Sequence, residues 1–291
     1  MKHVTASEME RICSMIRSYV RPEEKIVLGV SGGIDSDVAA RLCVRALSPE
    51  RVHLFYVLQE GVPVKRLAAV KELAKDLQCT LGVIDLQEMN TDLVLRVHAS
   101  DRQNLNPNSL MDFHRTKCAL RVVIYSIYNE NDFVFCSTTN RTEYETGSCM
   151  LWGDMLGHLR PLIHLYKTQV YELARLVGTS DAVLQEAPSA DFWEGEDDMD
   201  DLSYMLLNRS QVPGYRRFSL EEMEAAEKIK AEISLNKIDL ALEAFHSGAN
   251  PAQAASCSGL PPEITEALEC LTQKARITRA RKIMESLESM E

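Results

Sequence analysis

The chain has 291 residues, 45% of them hydrophobic and 6% aromatic, enough for one large α/β domain or two smaller ones around a sizeable core. Its formal charge of -11 argues against general nucleic-acid binding, which needs lysine and arginine to neutralise phosphates, while leaving room for one local basic pocket. No run of about 18 apolar residues occurs and the N-terminal MKHVTASEMERICSMI is mixed and helix-like, so no membrane span or signal peptide is expected and the cytoplasm is the expected compartment.

After that helix-like start, KIVLGV (25–30) and VHLFYVL (52–58) read as buried strands, being short apolar runs rich in β-branched and aromatic residues and bounded by turn signals. SDVAARLCVRAL between them carries helical spacing. VKRLAAVKELAKDLQ then predicts a helix, TLGVIDL a third strand, RVVIYSIYNEN a helix and DFVFCSTT a fourth strand. Strand and helix in alternation imply βαβ units, and hence an α/β fold: a doubly wound parallel sheet with helices on both faces. YKTQVYELARLVG is an amphipathic helix, and EAPSADFWEGEDDMDDL, without helical or strand period, reads as a mobile surface loop. Beyond it lies a helical C-terminal region, with a capping-box start at Ser219 and Glu222 and a further helix after Pro261 and Pro262. We divide the chain into a domain over 1–208 and a helical extension over 209–291 packed on it. The eight cysteines (Cys13, Cys43, Cys79, Cys118, Cys136, Cys149, Cys257, Cys270) form no CxxC pair or zinc-spaced cluster and read as reduced thiols. His53 and His164 read as packing or surface residues.

The stretch LGVSGGIDSDVAARL (28–42) carries the first chemistry. A glycine pair at a strand-to-helix turn lets backbone N–H groups approach an anion, and the following helix adds the positive end of its dipole. The spacing is neither GxxxxGK[ST] nor GxGxxG. Ser31 and Ser36 supply hydroxyls, Gly32 and Gly33 backbone, and Asp35 the charge; an acid in a phosphate cradle makes electrostatic sense with a cation between, so Asp35 is a candidate magnesium ligand. An ordinary glycine-rich turn is the plain alternative.

SGGIDS resembles the pyrophosphate loop of the N-type ATP pyrophosphatases, which split ATP between its α and β phosphates to adenylate an oxygen nucleophile. With STTNRTE (137–143), LWGDMLGHLRPL (151–162), LYKTQVYELARLVG (165–178) and EAPSADFW (186–193) in that order, the chain resembles the NAD synthetase family over 6–208 and again over 234–282. The resemblance implies ATP contacts from Gly29, Ser31, Gly32, Gly33, Asp35, Ser36, Thr138, Lys167 and Ser189, magnesium ligation by Asp35 and Glu143, and catalytic roles for Lys167 and Asp154. The acid-substrate pocket it implies draws on Lys117, Arg121, Leu151, Asp154 and His158. The implied reaction has two steps: a carboxylate attacks the α-phosphate of ATP to give an acyl-adenylate and pyrophosphate, and ammonia then displaces AMP. In this family the acid is nicotinic acid adenine dinucleotide. The strand holding the loop begins near residue 25, so free ammonia or a separate glutaminase is the expected donor, and a homodimer is the expected assembly. The loop around EAPSADFW is expected to close over ATP and exclude water.

The acid half departs from the family pattern. Where the family reads KYGDGG and then an aspartate, this chain has Leu151 in place of the lysine, Met155 and Leu156 in place of the glycine pair, and His158 in place of the aspartate. The ARxR that opens the preceding helix becomes TKCALR (116–121), retaining Arg121, with Cys118 or Ala119 at the first arginine and Lys117 as the compensating cation. HKR-x-x-P becomes ITRARKIM, keeping Arg279 and Arg281, and a stretch around Arg209 to Ile233 reads as an insertion. Three readings stay open: an NAD synthetase with a diverged pocket, a related ligase that amidates another acid, and an inactive nucleotide-binding homologue.

Overall fold

In the computed structural model the described residues are 2–59, 64–107, 114–150, 153, 155–189, 197–212 and 216–282. The chain begins α1 (Ala6–Tyr19), β1 (Lys25–Gly29), α2 (Ile34–Ala46), β2 (Val52–Leu58), α3 (Val64–Asp76), β3 (Thr80–Asp85), α4 (Gln87–Ser100), α5 (His114–Asn129) and β4 (Phe133–Cys136). It continues α6 (Arg141–Thr146), α7 (Lys167–Val177), α8 (Asp181–Gln185), α9 (Asp198–Asn208), α10 (Leu220–Glu232), α11 (Leu235–His246), α12 (Pro251–Ser258) and α13 (Pro262–Lys282).

The four strands form a parallel sheet in the order β3-β2-β1-β4, with Leu28 of β1 level with Leu54 of β2 and Cys136 of β4. Side chains alternate across it with a period of two. Ile26, Leu28, Leu54, Tyr56 and Val134 join buried residues of α1, α2, α3 and α7, whereas Val27, Phe55 and Val57 pack with Leu120, Ile124 and Tyr125 of α5. The expected doubly wound α/β fold is therefore present, with helices on both faces. Successive strands run outward from β1 to β3, and the chain then returns to place β4 on the other side of β1. That reversal opens a crevice between the loops after β1 and β4, the position where such sheets bind ligands.

The expected helical C-terminal region is also present. Leu202 and Leu206 of α9, Ile238 and Leu242 of α11 and Leu268 and Leu271 of α13 bury one another in a second core. The Ser219 hydroxyl accepts the Glu222 N–H and the Glu222 carboxylate accepts the Ser219 N–H, which starts α10 as its sequence implies.

Two local expectations are corrected. The acidic stretch read as a loop to Leu202 becomes helical at Asp198, because the Asp197 carboxylate accepts the N–H groups of Met199 and Asp200 while Asp200 accepts that of Asp197. This is a capping box built from two aspartates, and its helix shows apolar periodicity only after the first turn. Helix α4 was not anticipated, since only Asn90 in it is fully buried. No helix among the described residues is long and apolar enough to cross a membrane.

Candidate active site

The crevice is a cavity of about 230 Å³, and the loop from β1 to α2 forms one wall. Ser36 Oγ donates to the Gly33 carbonyl at 2.9 Å, and the Ser31 N–H donates to Ser36 Oγ at 3.2 Å, which folds the loop back on the start of α2. Gly32 sits at φ +85°, where a Cβ would also stand 3.2 Å from the Arg66 carbonyl oxygen, so this turn requires glycine. Gly33 is the N-cap of α2 and brings no side chain to cap the first turn, while its own N–H donates to Ser31 Oγ at 3.2 Å. A helix N-terminus that begins at a glycine suits an anion.

The opposite wall comes from the loop after β4. Asn140 caps α6: its side chain accepts the Glu143 N–H at 3.0 Å while the Glu143 carboxylate accepts the Asn140 N–H at 3.2 Å. The same Asn140 amide donates to Asp35 at 3.0 Å, so the residue that starts α6 also ties it to the first loop. Helix α7 then begins at Lys167, whose side chain is 6% exposed, and its Nζ lies 2.5 Å from Asp35 and 3.7 Å from both Glu143 and Asp198.

One ammonium thus faces three carboxylates. Burial disfavours the charged lysine, but Asp35, Asp198 and Glu143 together outweigh it and hold Lys167 protonated well above its usual range. Burial also pushes Glu143 up to about 8, with Asp35 and Asp198 adding to the rise and Lys167 opposing it. Asp198 moves up for the same reason, burial first, with Lys167 opposing. The site carries more negative charge than its lysine balances, and its donors are hard oxygens. Among the described residues no group of three or more His, Cys, Asp or Glu is arranged to hold a metal by itself. Asp35 and Glu143 offer the hard carboxylate oxygens that a divalent cation such as magnesium takes beside water and phosphate.

A buried support lies behind Lys167. Asp239 of α11, fully buried, accepts the Thr142 hydroxyl at 2.5 Å and the Thr168 N–H and hydroxyl at 2.9 and 2.8 Å. Thr142 Oγ1 in turn accepts the Lys167 N–H at 2.8 Å. The second core therefore holds the first turn of α7 and the residue next to Glu143.

Most of the expected ATP contacts meet in this cavity, namely Ser31, Gly33, Asp35 and Ser36 from the first loop, Thr138 from the second, and Lys167 and Ser189 from α7 and beyond, together with the expected magnesium ligand Glu143. Gly29 lines an adjoining cavity of about 130 Å³ with Thr138 and Arg121, and Arg121 borders both. The expected acid side is less gathered. Lys117 lies on α5 with its carbonyl accepting from Gln59 at 3.2 Å. His158 stands on the outer edge of β4, where Nδ1 accepts the Phe135 N–H at 3.2 Å and the two rings lie 4.5 Å apart. Leu151 and Asp154 fall outside the described residues.

The model of the NAD synthase family matches residues 8–239. The chain belongs to the NAD synthase family. The NH(3)-dependent NAD(+) synthetase of Pyrococcus horikoshii is 32% identical over 203 residues, covering 69% of this chain and 75% of that protein. In fold, the chain is similar to NMN synthetase from Francisella tularensis, at a TM-score of 0.73 and 19% identity over 98% of this chain and 99% of that one. The NH3-dependent NAD synthetase of Campylobacter jejuni gives a TM-score of 0.66 at 20% identity, covering 97% of both chains.

Within this family frame, sequence reasoning missed Asp198, Asp239 and Arg66. Asp198 carried a signal in the Asp197–Asp200 cap, which places it at the first position of a helix. Asp239 sits in KIDLALEAF with no local cue, and Arg66 in a helix that shows only amphipathic spacing. Gly153, inside LWGDMLGHL, packs on α5 so closely that a Cβ would stand 3.1 Å from three Cys118 atoms. Cys118, one of the departures from the family pattern, therefore touches the glycine that the chain keeps from it.

Proposed function

We propose that this chain makes NAD: it adenylates the nicotinate carboxyl of nicotinic acid adenine dinucleotide with ATP, releasing pyrophosphate, and amidates it with ammonia, releasing AMP. The observation that carries this reading is the convergence of Asp35, Glu143 and Lys167 on a helix N-terminus that begins at Gly33, in a member of the NAD synthase family. Ser31, Gly33 and Ser36 cradle phosphate, and Thr138 and Ser189 orient the nucleotide. Lys167 neutralises charge as pyrophosphate departs and so lowers the barrier to breaking the α–β bond. Asp35 and Glu143 are the residues that would hold magnesium, which supplies further neutralisation of the phosphates when bound. Arg121, which borders both cavities, is the anchor of the acid side, to which the sequence also assigns Lys117, Leu151, Asp154 and His158.

A homodimer fits the surface. Met89, Leu93 and Val97 of α4 recur at every fourth position, as do Val123 and Ile127 of α5, and all five are between 40% and 62% exposed. Such helical stripes are what a second subunit covers.

A second reading is favoured by the departure at Cys118, which packs against Gly153: the same chemistry on a smaller pyridine acid. The structural neighbour whose name is NMN synthetase makes the mononucleotide acid the first alternative. Purified protein with ATP, magnesium and ammonia, supplied in turn with the dinucleotide and the mononucleotide acid, separates them by the amide formed and the AMP released. Amide from the mononucleotide alone refutes the first reading, and magnesium-dependent ATP binding without AMP from any acid refutes both in favour of an inactive homologue.

A further inference from the structure

The cavity is short of positive charge for the ligand assigned to it. Among the described residues its lining carries Asp35, Glu143, Glu186, Asp198 and Asp201 against Lys167, Arg66 and Arg121. Lys167 is already engaged with Asp35. Arg66, at the start of α3 and 3% exposed, runs beneath the first loop: its Cδ lies 3.4 Å from where a Gly32 Cβ would be, and its Nη1 reaches the Gly32 carbonyl at 3.4 Å. The same nitrogen lies 2.6 Å from Glu186, three residues before Ser189. The other oxygen of Glu186 is 2.6 Å from the Nζ of Lys65, a side chain 66% exposed. One carboxylate therefore bridges two cations, one inside the cavity and one outside.

We propose that Arg66 is a phosphate-binding residue of this site, held beside the loop by Glu186 until pyrophosphate takes over its guanidinium while Lys65 retains Glu186. This rests on the ATP-cleaving reading above. A guanidinium matches phosphate oxygens in a planar fork, and the exchange leaves no charge unpaired. Glu186 then competes with the phosphate, so its removal has the opposite sign to the removal of Arg66.

The test measures calorimetric binding of magnesium pyrophosphate, and its inhibition constant against ATP, for the full chain. Arg66→Gln is expected to weaken both about tenfold or more, the scale of a lost charge-assisted contact, whereas Glu186→Gln is expected to tighten them several-fold. A bridge that serves only to hold the fold predicts equal weakening by both variants, and that result overturns the proposal. Should Arg66→Gln fail to fold, Glu186→Gln keeps Arg66 in place, and unchanged or weaker pyrophosphate binding there is equally decisive against it. Wild-type protein that releases no AMP and binds no magnesium pyrophosphate overturns the ATP reading itself; wild-type activity without divergence of the variants overturns only this inference.

Discussion

Replacing Asp239 by alanine tests whether the helical C-terminal region holds the reactive centre in place. The carboxylate accepts three hydrogen bonds from Thr142 and Thr168, and its loss leaves the Thr168 N–H and two hydroxyls without their acceptor. Hydrogen bonds to a charged group contribute about 1.5–3 kcal/mol each, and they are not additive. Part of that gain is offset already, because burial disfavours the ionised form of Asp239, with Thr142 and Thr168 opposing the rise in its pKa. The net loss should therefore be about 3–4 kcal/mol, near the cost of removing one partner of a buried pair. The Lys167 N–H donates to the same Thr142 oxygen, so the first turn of α7 should shift, and a displacement of about 1 Å lowers turnover by roughly a hundredfold. Denaturant unfolding gives the first number and AMP release per folded protein gives the second. A loss below about 1 kcal/mol with full turnover would refute the reasoning, since buried donors left unmade cost more than that.

Lys167→Met should abolish AMP release and leave Asp35, Glu143 and Asp198 facing one another, so that magnesium raises the melting temperature of this variant more than that of the wild type; an equal rise would separate the lysine from the cation site. The pH dependence follows from Glu143. With its pKa raised to about 8, the folded chain keeps a proton that the unfolded chain releases above about 4.5, so ligand-free stability should fall as pH rises between those values and level off beyond 8. Magnesium with ATP needs the ionised form, and binding at pH 7 should release a proton, visible as a buffer-dependent calorimetric heat. Gly32→Ala should cost about 1–2 kcal/mol from its left-handed backbone alone and raise the KM for ATP, with thermal unfolding and initial rates as the readouts.

What the sequence by itself determined is what short-range physics controls. Alternating strand and helix patterns set the parallel sheet, because period-two and period-3.6 burial are properties of a few consecutive residues. The glycine turn after β1 and the Asn140–Glu143 cap after β4 are likewise local, and they carry Asp35 and Glu143 to the same crevice once strand order brings β1 beside β4. Only the tertiary structure decided which charges meet there. Asp198 reaches Lys167 from a helix whose cap is two aspartates, Asp239 reaches Thr142 across 97 positions, and Glu186 reaches Arg66 across 120. Pairings over such separations leave no period in the chain. Their effects, a glutamate pushed up to about 8 and a lysine held charged, arise from burial and distance, which come into being only when the chain is folded.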